Sequence, residues 1–289
     1  MLPLNVGVQL KSLRQPFKKA LQTAAKMGAS AVEIDIRSDV RPQELSETGV
    51  RHLRKMLEDL ELKVCAVNFP TRRGYDVAED LDRRIDATKR AMQFAFTMGA
   101  SVVVNQVGKI PEEPGTGEWD LLVQSLSDLG RYGQHVGALL AARTGTEEGG
   151  VMSRLLAALP EGMVGVDLDP GGLIINGFSA REATEVLADR ILHVHARDGV
   201  RDLARGRGVE VPLGMGTAEL PDLLGILAER RYRGFFTIER EQAVNPAAEI
   251  GDAVAYLKAL RFKHLDLNNL GLAVADRRIR LQTSLYKLL

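Results

Sequence analysis

Apolar positions along the chain fall into two alternating patterns. Short apolar runs such as Ala31–Ile36 predict buried strands, because a strand covered on both faces needs apolar side chains at nearly every position. Between the runs, apolar residues recur every three or four positions, as from Phe17 to Met27, which predicts amphipathic helices. The runs predict strands at Asn5–Leu10, Ala31–Ile36, Val64–Phe69, Val102–Val107, Gly137–Arg143, a segment ending at Asp169, Ile191–Asp198 and Phe235–Glu239.

The boundaries between helices and strands repeat a short sequence. Met27-Gly-Ala-Ser and Met98-Gly-Ala-Ser each place a glycine at a predicted helix end, where a positive φ stops the helix. Strands and helices alternate at near-even spacing, which predicts an α/β fold, a closed (β/α)8 TIM barrel spanning residues 1–262. A doubly wound sheet is the alternative, but the turn at 10–15 lacks the glycines of a phosphate-binding turn.

Two segments lie outside this alternation. An insertion at 199–216 is rich in glycine and arginine and predicts a short hairpin at Gly208–Leu213; its arginines could cover an anionic substrate or form a solvated basic loop. The C-terminal extension at 263–289 is apolar, and apolar surface outside a core needs a partner. We expect this tail either to pack on the barrel itself or to serve as an arm that joins copies in a homo-oligomer.

The composition limits the classes of partner that we expect the protein to bind. The 289 residues include 38 basic and 38 acidic side chains, so no general electrostatic attraction to nucleic acid or to an anionic membrane is expected. No apolar stretch reaches the roughly 18 residues of a membrane span. The N-terminus lacks the charged segment of a signal peptide, and the single cysteine, Cys65, reads as a buried strand residue. These features predict a cytoplasmic protein with a small-molecule substrate.

Polar side chains cluster where the predicted strands end. In barrel enzymes the active site lies at the C-terminal ends of the strands. These ends supply Glu33, Asn68, Asn105, Gln106, Arg143, Asp169, His195 and Glu239. Aspartate, histidine and glutamate together are good ligands for a divalent ion such as Mn, Zn or Mg, and an ion there could polarise a substrate carbonyl and stabilise an enediolate.

Four motifs in the last three predicted strands resemble the xylose isomerase-like barrel family, the sugar-phosphate isomerase/epimerase group. They are Asp-Pro-Gly at 169–171, His-Val-His-Ala-Arg-Asp at 193–198, Val-Pro-Leu-Gly-Met-Gly at 211–216 and Phe-Thr-Ile-Glu at 236–239. The resemblance covers about residues 4–262. It implies a metal bound by a glutamate ending the fifth strand and by Asp169, His195 and Glu239.

The chain departs from the family at that first ligand. Where the family commonly reads Glu-Thr-Gly, this chain has Arg143-Thr-Gly145; the histidine that often follows the aspartate is Gly172, and the acidic residue of the Leu-Gly-Glu-Gly turn is Met215. A guanidinium cannot ligate a cation. We expect Arg143 to pair with Asp169 and Glu239 through bidentate contacts, which weighs against a tightly bound metal of the usual geometry.

The neighbouring polar residues each allow a functional and a plain interpretation. His193 lies on the same face as His195, and we expect it to be a core histidine with satisfied hydrogen bonds. We expect Asp167 to be similar, or to pair with a neighbouring strand. Glu33 belongs to the substrate pocket in the family, yet a strand-end carboxylate also caps helices. Arg197 and Asp198 could bind a phosphate or carboxylate of the substrate, or could form a surface pair of little energetic value.

Two functions remain open. The resemblance favours an isomerase or epimerase that moves a proton on a sugar or polyol, with Glu239 as base or ligand, His195 and Asp169 as ligands or polar binders, and Arg143 as the electrophile. Glu33, Asn68, Asn105, Arg197 and Asp198 would then bind the substrate. The alternative is a non-catalytic barrel that binds a carbohydrate or a protein partner, which the altered ligand set and the apolar tail favour.

Overall fold

In the computed structural model, which describes residues 4–201 and 208–260, eight parallel strands close into a barrel. The barrel strands are β1 (Asn5–Gln9), β2 (Ala31–Asp35), β3 (Lys63–Asn68), β4 (Val102–Asn105), β5 (Leu139–Arg143), β6 (Val164–Leu168), β7 (Ile191–Ala196) and β10 (Phe235–Ile238). Neighbours along the chain are neighbours in the barrel, and β10 closes it by pairing with both β7 and β1. The predicted (β/α)8 barrel is therefore confirmed.

Helices cover the outside of the barrel. They are α1 (Phe17–Lys26), α2 (Glu47–Asp59), α3 (Leu81–Thr97), α4 (Gly117–Val136), α5 (Gly149–Ala157), α6 (Pro170–Ile175), α7 (Ala180–Leu187), α8 (Leu220–Glu229) and α9 (246–260). Side-chain oxygens of Ser46, Thr116 and Ser179 accept from the free N–H groups of the first turn of α2, α4 and α7. No helix within the described residues is long and apolar enough to cross a membrane.

Three local features differ from the sequence prediction. The fifth strand begins at Leu139, because Gly137 takes a φ of 89° and ends α4. Helix α6 was not predicted, since six residues are too short to show a helical period. In the insertion, β8 (Asp198–Val200) pairs antiparallel with β9 (Val209–Val211). The segment 208–213, which was predicted to form a hairpin by itself, therefore contains only one strand of the observed hairpin. Residues 202–207 and the tail at 263–289 lie outside the described part of the chain.

The barrel interior is packed so closely around Gly7 that no space is left there for a β-carbon. A β-carbon added at Gly7 would lie 2.8 Å from Thr237 Oγ1 and 3.0 Å from Cys65 Sγ. Glycine is therefore required on β1, because Thr237 and Cys65 already occupy this layer, where their side chains lie 3.2 Å apart. Cys65 is buried, as predicted from its apolar strand.

Candidate active site

The C-terminal ends of β2, β6, β7 and β10 bring ionisable side chains to one point. Alternation along β7 turns His193 and His195 inward together, and the register sets His193 opposite Asp167 and His195 opposite Thr237. All four side chains are buried. The convergence of strand ends predicted from the sequence is present in the structure.

Asp167 ties the two histidines together. Its Oδ1 lies 2.7 Å from Nδ1 of His193, and its Oδ2 lies 2.7 Å from Nδ1 of His195. His193 uses its other ring nitrogen for Thr237, whose Oγ1 is 2.7 Å away. His193 is thus a core histidine with satisfied hydrogen bonds, as expected, and Asp167 orients the ring of His195.

The second ring nitrogen of His195 faces two carboxylates. Nε2 lies 3.0 Å from Glu33 Oε2 and 3.3 Å from Glu239 Oε2, but it is not aligned for a hydrogen bond with any described residue. Burial alone would lower the pKa of His195, yet the charges of Asp167 and Glu33 outweigh burial and raise it well above its usual value. Burial would raise the pKa of Glu33, and the charge of His195 reverses this and lowers it.

Arg143 reaches between the two remaining carboxylates. One of its terminal nitrogens lies 2.7 Å from Asp169 Oδ2 and 2.6 Å from Glu239 Oε2, and its Nε lies 3.2 Å from Asp169 Oδ2. The expected contact between this guanidinium and the two carboxylates is therefore present, but it is not bidentate, because both nitrogens donate to one oxygen of Asp169 and Glu239 accepts a single bond. Burial opposes the charge of Arg143, but Glu239 and Asp169 outweigh it and hold its pKa well above the usual value.

Asp169 is held by several further contacts. Its Oδ1 accepts from the backbone N–H of Gly172 at 2.8 Å and caps α6, and its Oδ2 lies 3.2 Å from a terminal nitrogen of Arg197. A β-carbon at Gly172 would come within 2.6 Å of this carboxylate. The missing side chain at Gly172, noted as a departure from the family, is what lets Asp169 turn onto the helix.

The pKa values of Asp169 and Glu239, the two carboxylates that share Arg143, shift in opposite directions. Burial would raise the pKa of Asp169, but the charges of Arg143 and Arg197 lower it. Burial also raises the pKa of Glu239, and there the nearby cations do not fully compensate. Asp169 has the extra backbone hydrogen bond to its charged form, so Glu239 is the carboxyl group that takes up a proton first.

A small cavity opens beside Glu239. Its volume is about 170 Å³. It is lined by Gln9, Lys11, Asn68, Pro70, Thr71, Asn105, Gln106, Arg143, Glu239 and Glu241. Amide, hydroxyl and charged groups dominate this wall, which suits a ligand that carries many hydroxyl groups.

The structure separates the predicted site residues into two groups. Arg143, Glu239, Asn68 and Asn105 line the cavity. Glu33 lies among the buried carboxylates beneath it, where Gln9 donates to its Oε1 at 2.8 Å, so it does not cap a helix.

Arg197 and Asp198 make contacts to other parts of the protein, and their predicted role in binding substrate stays a prediction. Arg197 bonds Asp169, Glu210 and Glu241. The carboxylate of Asp198 accepts four backbone N–H groups, from Gly199, Gly214, Gly216 and Ala218. The two residues therefore do not form the surface pair that was the plain alternative, and Asp198 organises the loop that follows β9.

Sequence reasoning missed three polar residues of the cavity wall: Gln9, Lys11 and Thr71. Gln9 ends β1, so the strand-end rule applied to the first strand would have found it. Lys11 follows two residues later and donates to Asp35 at 3.2 Å. Thr71 lies in a loop and has no comparable signal.

Two groups of side chains differ in how well they fit a metal ion. At Asp169, His195 and Glu239 the guanidinium of Arg143 already bridges the two carboxylates, so these residues do not fit a divalent cation in this arrangement. Glu33, His193 and His195 place ligand atoms within 4.8 Å of one another and form a group that could hold a metal ion. Both ring nitrogens of His193 are engaged, however, so such an ion would have to displace Asp167 or Thr237.

Comparison with known proteins agrees with the barrel fold. A family model described as xylose isomerase-like TIM barrel matches residues 21–260. The chain belongs to this family. The match covers every strand from β2 onward and every residue of the site except those on β1 and the turn after it.

Three similar proteins illustrate the family. The inosose dehydratase of Clostridium botulinum (strain Alaska E43 / Type E3) is 24% identical over 257 residues, which are 78% of this chain and 82% of the relative. A xylose isomerase domain protein from Planctomyces limnophilus has a TM-score of 0.79 at 21% identity, covering 91% of this chain and 98% of that one. D-psicose 3-epimerase from Clostridium cellulolyticum H10, solved with D-tagatose, has a TM-score of 0.72 at 13% identity, covering 89% and 99%.

Proposed function

We propose that the protein is an enzyme that moves a proton next to the carbonyl group of a sugar or polyol ketone, at the C-terminal face of the barrel. The observation that carries this proposal is the pair formed by Glu239 and Arg143, which lie 2.6 Å apart and both line the polar cavity. A carboxylate and a fixed cation at that separation can act on adjacent atoms of one substrate.

Glu239 acts as the base. Burial raises its pKa, which makes its carboxylate a stronger proton acceptor than an exposed glutamate. Asp169 keeps its charge and serves instead to hold Arg143.

Arg143 supplies the electrophile. When a proton leaves the carbon next to a carbonyl, negative charge develops on the carbonyl oxygen, and a preorganised cation stabilises it. Asp169 holds the guanidinium group of Arg143 in place, and this group cannot lose its charge. It therefore takes the electrostatic role that the family resemblance would assign to a metal ion.

Amide and hydroxyl groups bind the rest of the substrate. Asn68 and Gln106 line the cavity, and Asn105 is held in place by Tyr75 at 2.8 Å and by Thr71 at 3.3 Å. These donors and acceptors match the hydroxyl groups of a polyol. Similar proteins named inosose dehydratase and D-psicose 3-epimerase support this class of substrate.

The same first step allows two outcomes. Return of a proton to the enediolate gives an isomer or an epimer, whereas loss of a neighbouring hydroxyl group as water gives a dehydrated product. An epimerase and a dehydratase therefore need the same base and electrophile, and they differ in the group that assists departure of the hydroxyl.

Hydrogen exchange with solvent tests the proposal. Keto-sugars and inososes are incubated with the protein in deuterium oxide, and deuterium at the carbon next to the carbonyl is measured by NMR. We expect exchange with at least one compound, and a loss of roughly 100- to 10,000-fold in Glu239→Gln. The control is Glu185→Gln, which removes an exposed carboxylate of α7 that pairs with Arg181 outside this cavity, and it should exchange hydrogen as the natural chain does.

A barrel that binds a carbohydrate without chemistry is the second proposal. It is favoured by the engagement of Asp169, Arg143 and Arg197 in mutual ion pairs. Binding of a sugar with no exchange above the uncatalysed rate, in any compound of the panel, would favour it over the enzyme.

A further inference from the structure

A second and larger cavity, of about 720 Å³, lies beside the first. It is formed by the loops after β2 and β3 and by the first turns of α3. Six arginines line it, against three acidic residues, which leaves an excess of three positive charges. The arginines are Arg37, Arg72, Arg73, Arg83, Arg84 and Arg90.

Only part of this charge is neutralised. Arg73 pairs with Glu79, and Arg83 lies 3.8 Å from Asp80. Within residues 4–201 and 208–260, the other four, Arg37, Arg72, Arg84 and Arg90, form no ion pair. Their charges face the cavity without a carboxylate partner in this part of the chain.

Two of the arginines are held in place. Arg84 donates to the backbone oxygens of Val77 and Glu79, and its buried Nε has no hydrogen-bond partner among the described residues. The guanidinium of Arg37 lies 5.0 Å from the centre of the Phe69 ring and stacks on it. A guanidinium that is held in place loses less conformational entropy when it binds an anion.

Thr71 joins this cavity to the one at Glu239, because it lines both. Its backbone N–H and its hydroxyl both donate to Asn105 Oδ1, each at 3.3 Å. A ligand bound among the arginines therefore lies next to the wall that, in our proposed function, holds the substrate.

We propose that the arginine-lined cavity is a binding site for a phosphoryl group. Guanidinium groups present pairs of N–H donors that match the oxygens of a phosphate, and four of the six lack a competing carboxylate within the described residues. The phosphoryl group could be part of a sugar substrate that extends past Thr71, a source that rests on the proposed function, or it could be free inorganic phosphate.

Binding of inorganic phosphate to the full chain tests the site. Affinity is measured by calorimetry at low ionic strength, where screening of exposed charges is small. We expect the double variant Arg72→Gln/Arg90→Gln to bind phosphate about tenfold more weakly or worse. The matched control is Arg54→Gln/Arg131→Gln, which removes two exposed arginines outside this cavity and should bind as the natural chain does. Absence of phosphate binding, or equal weakening in both double variants, would overturn the proposal.

Solvent exchange on paired sugars and sugar phosphates separates the two sources. A higher KM in Arg72→Gln/Arg90→Gln for the phosphorylated compound alone assigns the phosphoryl group to the substrate. An unchanged KM for both compounds, with phosphate affinity still lost, assigns the site to free phosphate. Phosphate binding that depends on the arginines, with no exchange in any compound, would retain this site and refute the proposed function.

Discussion

Arg143 enters the site from the end of β5 and meets Asp169 and Glu239, which reach it from β6 and β10. Two buried carboxylates that share one contact point would repel each other without a cation between them. The guanidinium supplies that charge and cannot lose it at any ordinary pH. The side chain that breaks the family ligand pattern is thus also the one that allows both carboxylates to stay buried.

The pH dependence of activity follows from Glu239. Its pKa is raised above 4.5, and the base is the deprotonated form. The exchange rate should therefore rise with pH through that raised pKa, so the midpoint of the acidic limb lies above pH 4.5. Initial rates between pH 4 and 9, with the folded fraction checked by circular dichroism, measure it. A rate that is already at its plateau at pH 4.5 would contradict the role of Glu239 as base.

At the scale of elements, the loop after β9 is organised by one carboxylate. Asp198 accepts backbone N–H groups of Gly199, Gly214, Gly216 and Ala218 at 2.8–3.0 Å. We expect Asp198→Ala to lower the free energy of unfolding by about 3 kcal/mol, because the loop loses charge-assisted hydrogen bonds. Urea unfolding measures this. The control Asp222→Ala removes an exposed ion pair and should change stability by less than about 1 kcal/mol.

An unchanged free energy of unfolding in Asp198→Ala would mean that these contacts do not hold the loop.

Close packing inside the barrel predicts opposite effects at two glycines. Gly7→Ala should destabilise the fold by about 1–3 kcal/mol, because its β-carbon would press on Thr237 and Cys65. Gly225→Ala, in α8, has no atom within 4 Å of its new β-carbon and should be neutral or stabilising by up to about 1 kcal/mol. Thermal unfolding of the two variants measures the difference. Equal effects would show that the interior of β1 tolerates a methyl group.

The strands were predictable because barrel strands are covered on both faces and read as apolar runs. The residues at their ends, Arg143, Asp169, His195 and Glu239, followed from the strand-end rule together with the family resemblance. Helix α6 was missed because six residues are too few to show the helical repeat of apolar positions. The contacts of Asp198 were missed because hydrogen bonds to backbone groups 16–20 residues away leave no mark in the sequence.

The molecule as a whole places the cavity at Glu239 and the arginine-lined cavity side by side on the C-terminal face of one barrel. The smaller cavity contains Glu239 and Arg143, and the larger one contains the six arginines. These arginines come from three separate segments, each of which reads as an ordinary solvated surface, so the sequence alone could not show that they meet. The net charge of zero conceals the positive cavity in the same way.

Metal content tests most directly whether Arg143 takes the place of a cation. The natural chain, Arg143→Glu and Arg143→Gln are dialysed against Mn²⁺, checked for folding, desalted and submitted to elemental analysis. We expect about one Mn²⁺ per chain only in Arg143→Glu, which adds a carboxylate to Asp169, His195 and Glu239. Stoichiometric metal in the natural chain, lost in His195→Ala, would show that Arg143 swings aside and that a metal site survives.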